Sequence, residues 1–210
     1  MNPPATPAGS LVPDASCRTQ SLPLATAIDY LRIALATALT TATGRLVKNL
    51  FTPGSALPTG LAPDRETAHA GLTYLSLAAQ SLAVESRLLA QPVSFELVST
   101  SHAEGIEDRT TIAPLATRRL AKMASLGATI VAIELTVSAQ ALELRGHRPG
   151  HGAGAALAAV RRFVPVLTMA DRVPDVAGLA NAVRAGKAAR TALPAADEVE
   201  SRGIGDVDGT

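Results

Sequence analysis

At 210 residues, 47% of them hydrophobic, the chain is long and apolar enough to bury a core of its own, which excludes wholesale disorder. A formal net charge of +1, with no basic run and no interleaving of basic and aromatic residues, excludes the footprint of a nucleic-acid binder. The single cysteine, Cys17, excludes an intrachain disulfide and a multi-thiolate metal centre, and suits a reducing cytoplasm.

In chain order, residues 1–19 are rich in Pro, Ala, Gly and Ser and are expected to form a flexible N-terminus. They lack the basic start and continuous apolar run of a secretory signal. Leu24, Ile28, Leu31, Leu35, Ala38 and Ala42 follow steps of four and three, continued by Leu46 and Leu50, which predicts a long amphipathic helix with that stripe inward. Residues 52–63 are crowded with Pro and Gly and read as a loop. A second helix is expected over residues 68–90, stopped by Pro92, and residues 93–111 read as irregular. Met123, Leu126, Ile130, Ile133, Val137 and Leu144 mark a third helix over residues 112–145, about 50 Å long at ~1.5 Å per residue, with Pro114 in its first turn. A Gly/Pro turn at residues 146–152 ends it. Shorter helices follow around residues 153–163 and 175–185, and residues 191–210 form an acidic, Gly-containing tail.

Two Ala/Leu-rich stretches, residues 22–39 and 124–142, approach the length of a membrane span. Asp29 and Arg32 in the first and Glu134 in the second are costly at mid-bilayer, so helices buried in a bundle are the expectation, with no membrane partner. The fold class is therefore all-α: a long-helix bundle over residues 20–190. Three long helices with apolar residues around much of their circumference would leave a wide apolar surface on a lone chain, so a multi-chain bundle is expected.

Several segments carry a resemblance in one register. Leu22-Pro-Leu-Ala-Thr-Ala-Ile-Asp-Tyr-Leu-Arg-Ile-Ala-Leu-Ala36, Ser55-Ala-Leu-Pro-Thr-Gly-Leu61 and Ser81-Leu-Ala-Val-Glu-Ser-Arg-Leu-Leu-Ala-Gln-Pro-Val-Ser94 come first. Thr100-Ser-His-Ala-Glu-Gly-Ile-Glu-Asp108, Pro114-Leu-Ala-Thr-Arg-Arg-Leu120 and Ala132-Ile-Glu-Leu-Thr-Val-Ser-Ala-Gln-Ala-Leu-Glu-Leu-Arg145 follow in order. Together they resemble the C-terminal half of the aromatic amino-acid ammonia-lyases and related aminomutases, the family of the histidine and phenylalanine ammonia-lyases.

That resemblance implies a lyase or aminomutase whose active centres are assembled from several subunits around a tetrameric helical core. It also implies a methylidene-imidazolone electrophile, made in the family from an internal Ala-Ser-Gly. This chain contains no such tripeptide; the nearest, Ala15-Ser16-Cys17, lacks the glycine. The implied reading is a C-terminal subunit of a split enzyme, with the electrophile supplied by an N-terminal-half partner in a hetero-oligomer. The alternatives are a non-catalytic assembly or regulatory subunit, or a degenerate remnant.

By resemblance, Glu107 is the catalytic candidate, at the position that lies near the substrate amino group in the family. An acid before a helix also caps it, and Glu107 and Asp108 fit that role too. Thr19 and Gln20 stand where the family has a pocket Phe and a His, so Thr19, Gln20 and Asp108 are the weaker pocket candidates. Arg118, Arg119, Glu134 and Glu85 read as interhelical ion pairs. His147 and His151, four apart on a Gly/Pro turn, do not make a metal site.

Overall fold

The computed structural model describes residues 22–63, 71–94, 112–168 and 173–186. Among them the secondary structure is entirely helical: α1 (Leu22–Leu50), α2 (Thr52–Ser55), a 3-10 turn (Thr59–Leu61), α3 (Thr73–Leu89), α4 (Ala113–Leu144), α5 (His151–Arg161) and α6 (Ala177–Arg184). α1 and α4 are long and apolar enough to cross a membrane by length and composition. Both serve here as bundle helices.

α1, α3 and α4 pack mutually as an up-down-up three-helix bundle whose register is read from their shared core. Leu46 and Leu50 meet Leu75, Ile133 and Val137; Leu39 and Ala42 meet Ala83 and Ile130; Ala36 meets Ala90 and Met123. Numbers that rise along α1 therefore fall along α3 and rise along α4. Small residues set the spacing: a Cβ added at Gly127 would stand 3.1 Å from a Leu39 methyl, so α4 approaches α1 closely there. α5 and α6 cover another face of α4, where Val160, Val164 and Leu179 join Ala132 and Ala139.

The buried stripe of α1 follows the expected one from Ala42 through Leu46 to Leu50 and departs from it before that. Positions 25, 29, 32, 36 and 39 are buried there, while Leu24 and Leu31 lie 56% and 53% exposed, Ala38 is exposed, and Ile28 and Leu35 are half-buried. Over that first part the stripe keeps the four-three spacing but rotates by about one residue, and Thr43 is buried beside Ala42. Two of its positions are charged, Asp29 and Arg32, and their mutual neutralisation permits that rotation. Thr43 joins the stripe because its hydroxyl donates to the Leu39 carbonyl at 2.9 Å, leaving no unpaired polar atom.

Residues 52–63 also depart from a plain loop. They contain α2 and the 3-10 turn, and Leu57, Leu61 and Ala62 are buried. Gly71 accounts for the later start of the second long helix, at Thr73: its φ is +52°, and an added Cβ would meet the Gly60 carbonyl oxygen at 2.3 Å. Beside it the Leu72 N–H donates to that same carbonyl at 2.8 Å.

The expected ion pairs are present for two of the four residues. Glu134 takes a bidentate contact from Arg45 on α1 at 2.7 and 3.1 Å, and Glu85 pairs with Lys122 at 3.5 Å. Arg119 instead donates to the Gln91 carbonyl at 3.2 Å, and Arg118 is exposed without an ion pair among the described residues. A further network fixes residues 164–167 to α4. Arg161 donates to Glu143 at 3.0 and 2.5 Å and to the carbonyls of Val164 and Pro165, while the Gln140 amide exchanges two 3.1 Å bonds with the backbone of Leu167.

The rotated stripe makes a direct prediction. In dilute solution Leu39→Ala is expected to cost about 3 kcal/mol of unfolding free energy, in the usual range for a buried leucine, and Leu31→Ala less than about 0.5 kcal/mol. Urea denaturation compares them. Equal losses would return the core to the stripe through Leu24 and Leu31.

Candidate functional site

Asp29 and Arg32 lie one helical turn apart, 3% and 0% exposed. They are buried by the same α1 face that packs on α3 and α4. Arg32 donates to the Asp29 carboxylate and to the Leu89 carbonyl at the end of α3. The other Asp29 oxygen accepts the backbone N–H groups of Val93 and Ser94, both at 2.8 Å. With Arg119 on the Gln91 carbonyl, residues 89–94 are tied at four backbone groups by side chains from two neighbouring helices.

Burial pushes the Asp29 carboxyl up, but the Ser94 N–H, the Arg32 guanidinium and the Val93 N–H together outweigh it and hold the carboxyl below its ordinary value of 3.8. Both Asp29 oxygens are engaged, so the carboxylate is no free base. The Arg32 Nε and the Ser86 hydroxyl are the two buried side-chain polar atoms without a partner among the described residues. This is a clamp, and its chemistry is positional: it fixes the point from which the chain enters residues 95–111.

Glu107 and Asp108 belong to that stretch and lie outside the described residues, as do Thr19, Gln20 and the Ala15-Ser16-Cys17 tripeptide. What the structure supplies is the frame around the stretch. Ser94 sits on Asp29, and Ile112 opens α4, whose Ala113 and Ala116 are buried. The clamp was not legible as such in the sequence, where Asp29 and Arg32 register only as charges unsuited to a bilayer. The signal was their i, i+3 spacing inside an apolar stripe.

The described residues contain no aromatic pocket. Tyr30, Tyr74, Phe51 and Phe163 are all exposed. A cleft of about 180 Å³ between α4 and α5 is lined by residues including Leu135, Ser138, Leu142, Ala153 and Leu157, without a titratable group to do chemistry. His147 and His151 are exposed at the turn between α4 and α5. The chain contains no Ala-Ser-Gly, so a methylidene-imidazolone does not fit it as a self-made group.

The clamp carries a prediction in two parts. Asp29→Asn leaves a buried guanidinium without its counter-charge and is expected to cost about 3–5 kcal/mol, while adding Arg32→Met is expected to restore a large part of the loss. Because folding depresses the Asp29 pKa, its contribution is present above the unfolded value and lost as pH falls through the lower folded one. Parent stability is therefore expected to fall more steeply below about pH 3.8 than that of Asp29→Asn. Parallel curves in a urea series across that range would contradict the clamp.

The model of the aromatic amino acid lyases matches residues 15–162, well over half of the chain. A histidine ammonia-lyase of Aromatoleum aromaticum is 36% identical over 171 residues, covering 80% of this chain and 32% of the relative. Among solved structures, histidine ammonia-lyase from Trypanosoma cruzi superposes with a TM-score of 0.73 at 25% identity, over 80% of this chain and 33% of that one. Tyrosine aminomutase from Streptomyces globisporus does so with 0.72 at 28% identity, over 81% and 33%. The chain spans about a third of the length of the relatives it matches. Its helical order, its core and its sequence agree on one conclusion: the chain belongs to the aromatic amino acid lyase family.

Proposed function

We propose that this chain is the C-terminal component of a composite ammonia-lyase or aminomutase acting on an amino acid. In this reading a partner chain carries the methylidene-imidazolone group, and the present chain adds Glu107 to the shared site. The single observation that carries the proposal is the fixed entry to the Glu107-bearing stretch, held by a buried ion pair in a family member that lacks the precursor of the electrophile.

The chemistry follows from what elimination demands. Ammonia is a poor leaving group and the proton beside the side chain is weakly acidic, so an electrophile is required, and the partner supplies it. The role left for this chain is to bind and orient. A Glu107 carboxylate beside the substrate ammonium accepts its hydrogen bonds and favours its charged form, and a partly desolvated setting strengthens that contact. Thr19, at the position of a pocket aromatic in the resembled family, favours a second reading as an assembly subunit without a catalytic role.

The outer faces of α1 and α3 support association. Tyr74, Leu77, Val84 and Leu88 are exposed on α3 and, with Ser81, follow the three-four spacing of a helix-pairing seam. Leu24 and Leu31 form a comparable outward line on α1. Such surface is worth roughly 25 cal/mol per Å² when covered. The partner we propose covers it, in an assembly of several copies around a common helical core.

Three outcomes test the reading. The isolated chain is expected to release no ammonia from any amino acid, and activity from it would refute the composite site. In a complex reconstituted with a chain bearing Ala-Ser-Gly, Glu107→Ala is expected to lower turnover at least about tenfold, equivalent to about 1.4 kcal/mol, with sedimentation unchanged. Full turnover by the variant would favour the assembly subunit. Paired Leu77→Ser and Leu88→Ser changes are expected to weaken the complex about tenfold or more without loss of helicity, read by sedimentation; an unchanged complex would place the partner elsewhere.

A further inference from the structure

Leu135, Ser138, Ala139 and Leu142 follow one another along α4 at the spacing that puts all of them on one face of a helix. α5 repeats that spacing with Ala153, Ala156, Leu157 and Val160. Two such stripes on neighbouring helices ordinarily interdigitate and leave no space between them. Here the side chains of Ser138, Ala139, Ala153 and Ala156 are too short for that, and the stripes line the cleft of about 180 Å³ instead.

The hollow is built into the fold. Val160 joins Ala139 in a buried core cluster, and the next residue, Arg161, donates to Glu143 at 3.0 and 2.5 Å, so the C-terminal end of α5 is fixed on α4. Ala139 and Val160 are a buried floor, Leu135, Leu142, Ala156 and Leu157 are half-buried walls, and Ala153 is exposed at the mouth.

The lining selects by chemistry as well as by size. It carries no titratable side chain, so an ion entering it would lose hydration with nothing in its place, and a zwitterionic amino acid is excluded. Its one polar side chain is Ser138. On the same helix the hydroxyls of Thr117, Thr129 and Thr136 donate to carbonyls four residues earlier at 2.9, 3.4 and 2.8 Å, whereas the Ser138 hydroxyl makes no such bond among the described residues. That hydroxyl is left to exchange one hydrogen bond with a guest. A dry apolar cavity of about 150 Å³ takes a benzene ring, so about 180 Å³ is room for one ring with a small substituent.

We propose that the α4–α5 cleft binds a single small neutral ring bearing a hydroxyl, a ligand of the phenol class. The ring covers the apolar walls, and its hydroxyl pairs with Ser138. All of the lining comes from this chain, so binding needs neither Glu107 nor a partner.

Methyl-resolved NMR of the full chain, titrated with phenol and separately with toluene, tests this. Phenol is expected to shift the Leu135, Leu142 and Leu157 methyls with a dissociation constant on the order of 1 mM. Ser138→Ala is expected to weaken phenol about fivefold, the usual worth of one neutral hydrogen bond, and to leave toluene unchanged. Ala156→Leu fills the hollow and is expected to weaken both ligands at least about tenfold. Ala153→Leu, at an exposed helical position where the fold tolerates it, narrows the mouth and is expected to weaken both in the same direction. Phenol shifts that fall equally on the exposed Leu77 and Leu88 methyls would overturn the inference, as would affinities that neither leucine variant lowers. So would a Ser138→Ala variant that binds phenol as the parent does.

Discussion

The buried pair of Asp29 and Arg32 is the constraint on which the rest of this molecule rests. It occupies two positions of the α1 stripe where the four-three pattern calls for apolar residues, and two buried charges are tolerated only when nearly every polar atom finds a partner. Meeting that condition fixes the neighbourhood. Arg32 must find the Leu89 carbonyl, which sets where α3 ends, and Asp29 must find the Val93 and Ser94 N–H groups, which sets the direction in which the chain leaves. The same demand rotates α1 so that Leu24 and Leu31 face outward. An internal electrostatic requirement thus shapes the external apolar surface.

Much of the architecture was legible in the sequence because it depends on local signals. The third long helix, anticipated over residues 112–145, spans Ala113–Leu144: no breaker interrupts it, and Pro114 falls where a missing N–H costs nothing. The face of α1 was legible from Ala42 to Leu50 but not before, because leucine spacing there marks two neighbouring stripes about equally and the choice between them lies in a tertiary contact with residues 89–94. The segment 52–63 misled for a related reason. Its prolines and glycines do break helices, yet Gly60 and Gly71 allow two backbone stretches to meet closely enough to bury Leu57 and Leu61. The candidate site was less legible than the fold. Glu107 stands out through family resemblance alone, and the clamp that frames its stretch is invisible until the helices are placed.

The inner and outer faces of the three-helix bundle divide the work between folding and association. Inward, Leu46, Ile133 and Val137 build a core that closes within one chain, and the Gln140–Arg161–Glu143 network secures the segment that follows α5. Outward, α3 presents a seam of helix-pairing spacing with Tyr74 and Leu88 largely exposed. Surface of that spacing and polarity suits another helix packed along it. In the proposed composite enzyme, the folding of this chain and the completion of the site are separate events. In that proposal the clamp prepares the entry to the Glu107 stretch, and the electrophile and the aromatic recognition are the partner's part, since Tyr30, Tyr74, Phe51 and Phe163 are exposed.

That separation makes the central claim open to a mixing experiment. This chain, folded and inactive, is titrated into a lyase chain that carries the Ala-Ser-Gly-derived group and ends before the segment resembled here, also folded and inactive, while ammonia release is followed. The account predicts turnover that appears only on mixing and saturates at equal numbers of the two chains. A stable complex of the two that stays silent across the titration would contradict it.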